Sequence, residues 1–275
     1  MRYLGIDLAW GEGSPLRQAN ETGLCAIDAA GTVVAAGWAR GIGAVFDWIV
    51  ENAAPDGEGT VVAVDAPLVV PNATGMRESE KQVARAYGRW KVAANASNQA
   101  LGWLGGVTLR DRLEEAGFRT VSGVEHPSPD DRVFFECYPY TTLVGAEEFG
   151  YDLERPRYKR LPKGVPAPEA RAARAIVCDD LIVRMSGLTH TDPPLDLASH
   201  PVTRQLLDEP SPVAAGAYKH REDLVDSALC AWTASLWHRH GDARVQILGK
   251  NEPRDARGRH PTIVAPARPA QRLDG

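Results

Sequence analysis

Two segments that read as strands carry an aspartate. Asp7 sits in the middle of Leu4–Trp10, and VVAVDAPL places Asp65 at the end of an apolar run; aspartate is a depleted residue in strands. A third segment, HREDLVDSALCAWTASLW, carries Asp223 and Asp226 three residues apart and therefore on one helix face. Asp226 borders the apolar stripe of that helix and is followed by small Ser227 and Ala228. Carboxylates gathered at one place repel each other and stay protonated unless a cation joins them. Oxygen-only ligands suit a hard divalent ion, Mg²⁺ or Mn²⁺. Two such ions about 3.5–4 Å apart can clamp the attacking and leaving oxygens of a phosphodiester. Asp7, Asp65 and Asp226 are the expected metal ligands, with Asp7 bridging if two ions are used. Asp223 is the alternative helix carboxylate and a fourth catalytic candidate. Each also has a plain structural reading: Asp7 caps a turn, Asp65 forms a turn before Ala66-Pro67, and Asp223 offsets the positive end of its helix.

These carboxylates meet only if particular elements carry them. The first 65 residues alternate cleanly. RYLGIDLAW, Thr22–Asp28 and Thr32–Trp38 read as strands, the last two joined by a short loop at Ala29-Ala30-Gly31. Ile42–Asn52 has apolar residues at helical spacing, and Thr60–Asp65 is a continuous apolar strand of the kind buried on both faces. The order is β-β-β-α-β, with the helix as a crossover. If the strands of Asp7 and Asp65 lie side by side and parallel, their carboxyl ends meet on the edge where open α/β sheets place ligands. Further along, Met76–Tyr87, Asn98–Gly117, Glu169–Met185 and the amphipathic Tyr218–His240 read as helices. Arg132–Tyr138 reads as a fifth strand stopped by Pro139. Val245–Leu248 and Thr262–Val264 read as a final strand pair. The expected architecture is one α/β domain over residues 1–275, a mixed five-stranded sheet flanked by helices. Its core is 1–65, 132–138 and 218–241, with insertions at 66–131 and 139–217 and a C-terminal strand pair at 244–265.

Other side chains could serve a substrate at that edge. Arg77 and Glu80, in TGMRESE, open a helix next to Asp65; Arg77 could hold a phosphate, or the group could be a solvated first turn. Glu136, in FFECYPY, either reaches the site from the fifth strand or faces away, because Phe135 and Cys137 point to the other face. Tyr138, Tyr140 and Lys159 could line a groove with rings available for base stacking. Arg155, Arg157, Lys159, Arg160 and Lys163 form a basic run able to touch a phosphate backbone, although solvated loop charge is the ordinary explanation.

Composition narrows the class. The chain is 44% hydrophobic and 24% charged, as expected of a globular protein. No apolar run reaches the length of a membrane span, so no membrane partner is expected. Cys25, Cys137, Cys178 and Cys230 are scattered, which suggests reduced thiols and a cytoplasmic location. A net charge of −5 excludes a protein that holds nucleic acid by charge alone.

The ordered motifs resemble a known family. β-β-β-α-β with aspartates on the first and fourth strands and a late Asp-x-x-Asp helix resembles the RNase H-like fold, and HREDLVDSAL is similar in layout to the last catalytic helix of RuvC-type resolvases. More closely, GIDLAWGE, VAVDAPL, NATGMRESE, FECYPYTTL, the Tyr158-Lys159 pair, DLVDSALCAWTA and the terminal TIVAP resemble the domain-of-unknown-function 429 family, described as predicted RNase H-like nucleases. The resemblance implies an RNase H-like domain, a metal-dependent nuclease activity and nucleic acid, DNA or RNA, as partner. It maps Asp7 and Asp65 onto the strand carboxylates and Asp223 or Asp226 onto the helix carboxylate. Asp65 stands where such enzymes often use Glu. Two other classes stay open: a non-catalytic RNase H-like binding or scaffold module, favoured by a salt-bridged acidic cluster, and an ATP-handling enzyme of the kinase/actin class. Bulky Trp10 after the first strand argues against the small phosphate loop of the latter.

Overall fold

Alternation along the first strand organises the molecule, a computed structural model that describes all residues except 15, 17, 274 and 275. In β1 (Arg2–Asp7), Leu4 and Ile6 face one side while Tyr3, Gly5 and Asp7 face the other. β1 pairs antiparallel with β2 (Glu21–Asp28), which pairs antiparallel with β3 (Val33–Arg40). Helix α1 (Ile42–Asn52) crosses over to β4 (Thr60–Val64), which lies parallel to β1 with Ile6 opposite Val64. All five residues of β4 are buried, as its unbroken apolar sequence requires.

Helices α2 (Glu78–Tyr87) and α3 (Gly105–Glu115) follow, then β5 (Arg119–Thr120) and β6 (Arg132–Glu136). β6 pairs parallel with both β4 and β5, and the sheet order is β3-β2-β1-β4-β6-β5. The sheet thus has six strands rather than the expected five. The extra one is a two-residue edge strand, too short to leave a periodic signal. Residues Asn98–Gly117, expected as one helix, form a short 3-10 turn at Gln99–Leu101 and then α3. Gly102, at a φ of 67°, breaks the run, a conformation that favours glycine.

Pro139 ends the fifth expected strand and opens α4 (Pro139–Gly145), where its fixed φ suits a first helical position. After α5 (Ala167–Ser186) and α6 (Pro201–Asp208) comes α7 (Ala215–His240). Expected to be amphipathic, α7 is instead buried without a break from Arg221 to Trp237. One side lies on β1, β2 and β4, and α4, α5 and α6 cover the others, the situation of a helix enclosed on all faces. The close seat on the sheet depends on glycine. A Cβ on Gly5 would lie 2.0 Å from the Ser227 carbonyl oxygen and 2.2 Å from the Ala231 nitrogen, and one on Gly23 would lie 2.0 Å from the Asp223 carbonyl oxygen. The opposite sheet face, with Leu4, Ile6, Val62, Val64 and Phe134, packs on α1 and α3. The hairpin of β7 (Val245–Leu248) and β8 (Ile263–Pro266) abuts the end of β6 through a bridge from Cys137 to Val264. No helix among the described residues is long and apolar enough to cross a membrane.

Candidate functional site: an acidic cluster with two ammonium groups

Asp7 closes β1, and Asp65 follows β4 directly, its backbone N–H donating to the Ile6 carbonyl at 2.8 Å. Their common parity turns both towards α7. Because α7 runs back along β1, from Asp223 beside Gly23 to Ser227 and Ala231 beside Gly5, its first buried turns carry Asp223 and Asp226 to the same carboxyl edge. The helix begins at Ala215, earlier than the sequence pattern indicates. Asp223 therefore lies two turns inside it, 2% exposed, not at a helix start. Its expected role of offsetting the helix dipole falls away, because that field fades within the first turn.

Two ammonium groups hold the carboxylates apart. Lys159 Nζ lies 2.6 Å from Asp226 Oδ2 and 3.9 Å from Asp65 Oδ2. Lys219 Nζ pairs closely with Asp223 Oδ1 and lies 3.2 Å from Glu222 Oε1 and 3.9 Å from Asp7 Oδ2. The buried Tyr158 hydroxyl donates to Asp226 Oδ1. Asp223 Oδ2 is buried without a hydrogen-bond partner, whereas Asp226 Oδ2 has the Lys159 ammonium against it.

The acids outnumber the ammonium groups, and their protonation reflects it. Burial pushes Asp65 well above the carboxylate range, Lys159 pulls it back, and the charges of Asp7 and Asp226 raise it again. Burial and then Asp7 push Asp223 up to about 9 against the pull of Lys219. Burial and then Asp226 push Glu222 up to about 7. Asp226 is raised by burial, despite Lys159. Burial alone would lower Lys159, but Asp226, Asp65 and Asp7 together hold its ammonium well above the usual lysine range. Such shifts mark a group of charges that another cation would stabilise.

Among the described residues, no three His, Cys, Asp or Glu side chains already surround a common metal position; the lysine heads stand between the acids. The donor set itself, all oxygen and with the buried Asp223 Oδ2 lacking a hydrogen-bond partner, fits a hard divalent cation.

The remaining expected residues are placed differently. Arg77, 1% exposed, donates to both Glu136 oxygens at 2.8 and 2.6 Å, to Glu80 Oε1 at 2.8 Å and to the Val69 carbonyl at 3.1 Å. Its guanidinium is engaged in this network and lines a cavity beside Asp65. Glu80 also receives the Arg77 backbone N–H at 2.9 Å and the Ser97 N–H and hydroxyl, so it closes the start of α2. Glu136 belongs to this network, on the opposite face of β6 from Phe135 and Cys137. Tyr140 is buried under the Arg155 guanidinium, 4.0 Å from the ring centroid, and is not free to stack a base. Tyr138 is half-buried and donates to the Ala93 carbonyl at 3.2 Å. With Asp65, Arg77, Glu80, Asn95 and Glu136 it lines that cavity of about 50 Å³ beside the acids.

Sequence reasoning missed Lys219 and read Glu222 only as offsetting the start of the helix. The spacing of Lys219, three residues before Glu222 and four before Asp223, was the available signal. The link from Tyr158 and Lys159 to Asp226 had none, because it joins a loop to a helix far away in the chain.

In comparison with known proteins, the model of a family described as protein of unknown function (DUF429) matches residues 5–252. No curated protein matches the chain, and no solved structure does.

Proposed function

The chain belongs to the DUF429 family, and on that footing we propose that it is an RNase H-like, divalent-cation-dependent hydrolase of phosphodiester bonds in nucleic acid. One observation carries the reading: carboxylates from β1, β4 and α7 converge on the carboxyl edge of the sheet while one of their buried oxygens, Asp223 Oδ2, lacks a hydrogen-bond partner. The strand order β3-β2-β1-β4-β6, with only the first two pairings antiparallel, supports the RNase H-like assignment. Asp7, Asp65, Asp223 and Asp226 are the groups that would supply oxygen ligands to Mg²⁺ or Mn²⁺. The bound ion would lower the pKa of a water and stabilise the leaving oxygen. The chain's own part is to fix the acids. β1 and β4 hold two of them rigidly side by side, Gly5 and Gly23 bring α7 within reach, and Tyr158 orients Asp226. Arg157, Arg160 and Lys163, in the loop that carries Lys159, supply positive charge for a phosphate backbone, with Tyr138 beside the acids.

A second reading has its own observation. Lys159 and Lys219 neutralise part of the cluster internally, as a non-catalytic binding module would require. A cleavage screen over structured and single-stranded DNA and RNA, titrated with Mg²⁺ and Mn²⁺, separates the two. The hydrolase reading expects metal-dependent cleavage that Asp7→Asn abolishes. Full activity in Asp7→Asn refutes the mechanism, and no cleavage by the wild type on any substrate puts the binding module in front.

A further inference from the structure

The two lysines of the acidic cluster are not equivalent. Lys159 is fixed. Its side chain is 20% exposed, its ammonium sits 2.6 Å from fully buried Asp226, and the Tyr140 and Tyr158 rings stand 5.2 and 5.7 Å away. Tyr158 is itself anchored, because its hydroxyl donates to Asp226 and its carbonyl accepts the Tyr218 hydroxyl. Withdrawing Lys159 would leave Asp226 buried and unpaired, which is strongly unfavourable. Lys219 is 58% exposed, has only carboxylates as partners, and can leave by rotating into water.

We propose that Lys159 is a permanent counter-ion of Asp65 and Asp226, whereas Lys219 is a releasable one whose withdrawal opens a single divalent-cation position at Asp7 and Asp223. The inference rests on the metal-dependent reading of the site and divides its carboxylates into two sets. When Lys219 leaves, Asp7 and Asp223 are freed with Glu222 one position away. The buried Asp223 Oδ2, without a hydrogen-bond partner, is the oxygen that an incoming ion would satisfy. An ion of charge two replacing one ammonium also brings this half of the cluster nearer neutrality. The other half already has its cation, so the site takes one ion and not two. Lys219 is then a competitor of the metal, tethered one helical turn from Asp223 at the i, i+4 spacing that lets the two side chains meet.

Titration calorimetry with Mn²⁺ on the intact protein, with bound Mn²⁺ followed by electron paramagnetic resonance, tests this without reference to turnover. The expected result is one Mn²⁺ per wild-type chain. Lys219→Met should bind the same single ion about tenfold more tightly, a change of one decade in Kd, and Lys219→Gln should do likewise. Lys159→Met, where it folds, should admit a second ion. Two ions in the wild type, or an unchanged or weakened affinity in both Lys219 variants, overturns the inference and leaves the hydrolase reading standing. One ion bound with the expected Lys219 effect, but no cleavage of any substrate, overturns the hydrolase reading and supports the inference. No Mn²⁺ bound by the wild type or either Lys219 variant overturns both.

Discussion

At the scale of single residues, the chemistry turns on how many negative charges share one buried edge. Asp7 is the shared neighbour: its charge raises Asp65, Asp223 and Asp226 alike. Asp7→Asn keeps the shape and removes that charge. It should abolish metal-dependent hydrolysis while raising the melting temperature of the metal-free protein by roughly 2–4 °C, the shift for about 1 kcal/mol in a chain of this size. Differential scanning calorimetry in chelator checks the second half; a lower melting temperature would mean that Asp7 is a structural ion-pair partner of Lys219 first. Asp223→Asn should reduce Mn²⁺ affinity about as severely as Asp7→Asn. Its carboxylate lies within the helix against the site, and has no helix-start duty to soften the loss. Calorimetry showing a much smaller effect for Asp223→Asn would return the helix ligand to Asp226 alone.

At the scale of elements, two contacts decide whether the site exists. The first is the seat of α7 on β1 and β2. Gly5→Ala places a methyl group against the backbone of Ser227 and Ala231, where nothing flexible can yield. Overpacking of this kind costs about 1–3 kcal/mol or more, and the relief available is movement of α7 away from the sheet. Gly5→Ala should therefore lose stability in chemical denaturation and lose Mn²⁺ binding together, although it touches no carboxylate. Retained metal affinity in a folded Gly5→Ala would show that the close seat is not what assembles the cluster. The second contact ties α2 to β6 through Arg77, Glu80 and Glu136. Arg77→Met leaves Glu136 buried with its charge unpaired and should destabilise the fold by about 3–5 kcal/mol. Arg77→Lys should recover only part of this, because an ammonium cannot make the two-pronged contact with Glu136. Urea denaturation of the three proteins checks the order; equal stability of the wild type and Arg77→Met would rule out a structural role for the network.

For the whole molecule, the raised acids make stability depend on pH. A carboxyl with a folded-state pKa above its ordinary value holds a proton in the native protein that the unfolded chain has released. Stability therefore falls as pH rises through that window. The fall begins above the ordinary carboxylate values of about 4 and runs to about 7 for Glu222 and about 9 for Asp223. His238, pushed down to about 4 by burial with further lowering by His126, acts oppositely. Its contribution is complete above the ordinary histidine value of about 6.5 and is lost as pH falls towards 4. The raised ammonium groups of Lys159 and Lys219 contribute fully below the ordinary lysine range and do not bend the curve before it. In chelator, the melting temperature should thus fall by several degrees from mildly acidic pH towards pH 9, with His238 offsetting part of the fall below about 6.5. Mn²⁺ should flatten that drop by replacing protons as the counter-charge. A flat alkaline limb without metal would contradict the crowding of the acids.

Much of this was written locally. Apolar runs of the right length gave away β1, β2, β3, β4 and β6, and helical spacing gave α1 within its observed ends, because strand and helix periods are properties of neighbouring residues. An aspartate on each of two apolar strands could be read as one shared edge on the condition that those strands lie side by side and parallel. What the local pattern could not carry was anything settled by a distant partner. Arg77 has the look of a phosphate-binding arginine until Glu136 closes on it from another strand. Lys159 has the look of loop charge until Asp226 arrives from a helix far along the chain. The full burial of α7 was hidden because its outer faces are covered by α4, α5 and α6, which lie in the segments between the core strands and that helix. Hydrophobic patterning specifies which surface must be buried. Which charge is neutralised, and by which lysine, depends on the distances that only packing sets.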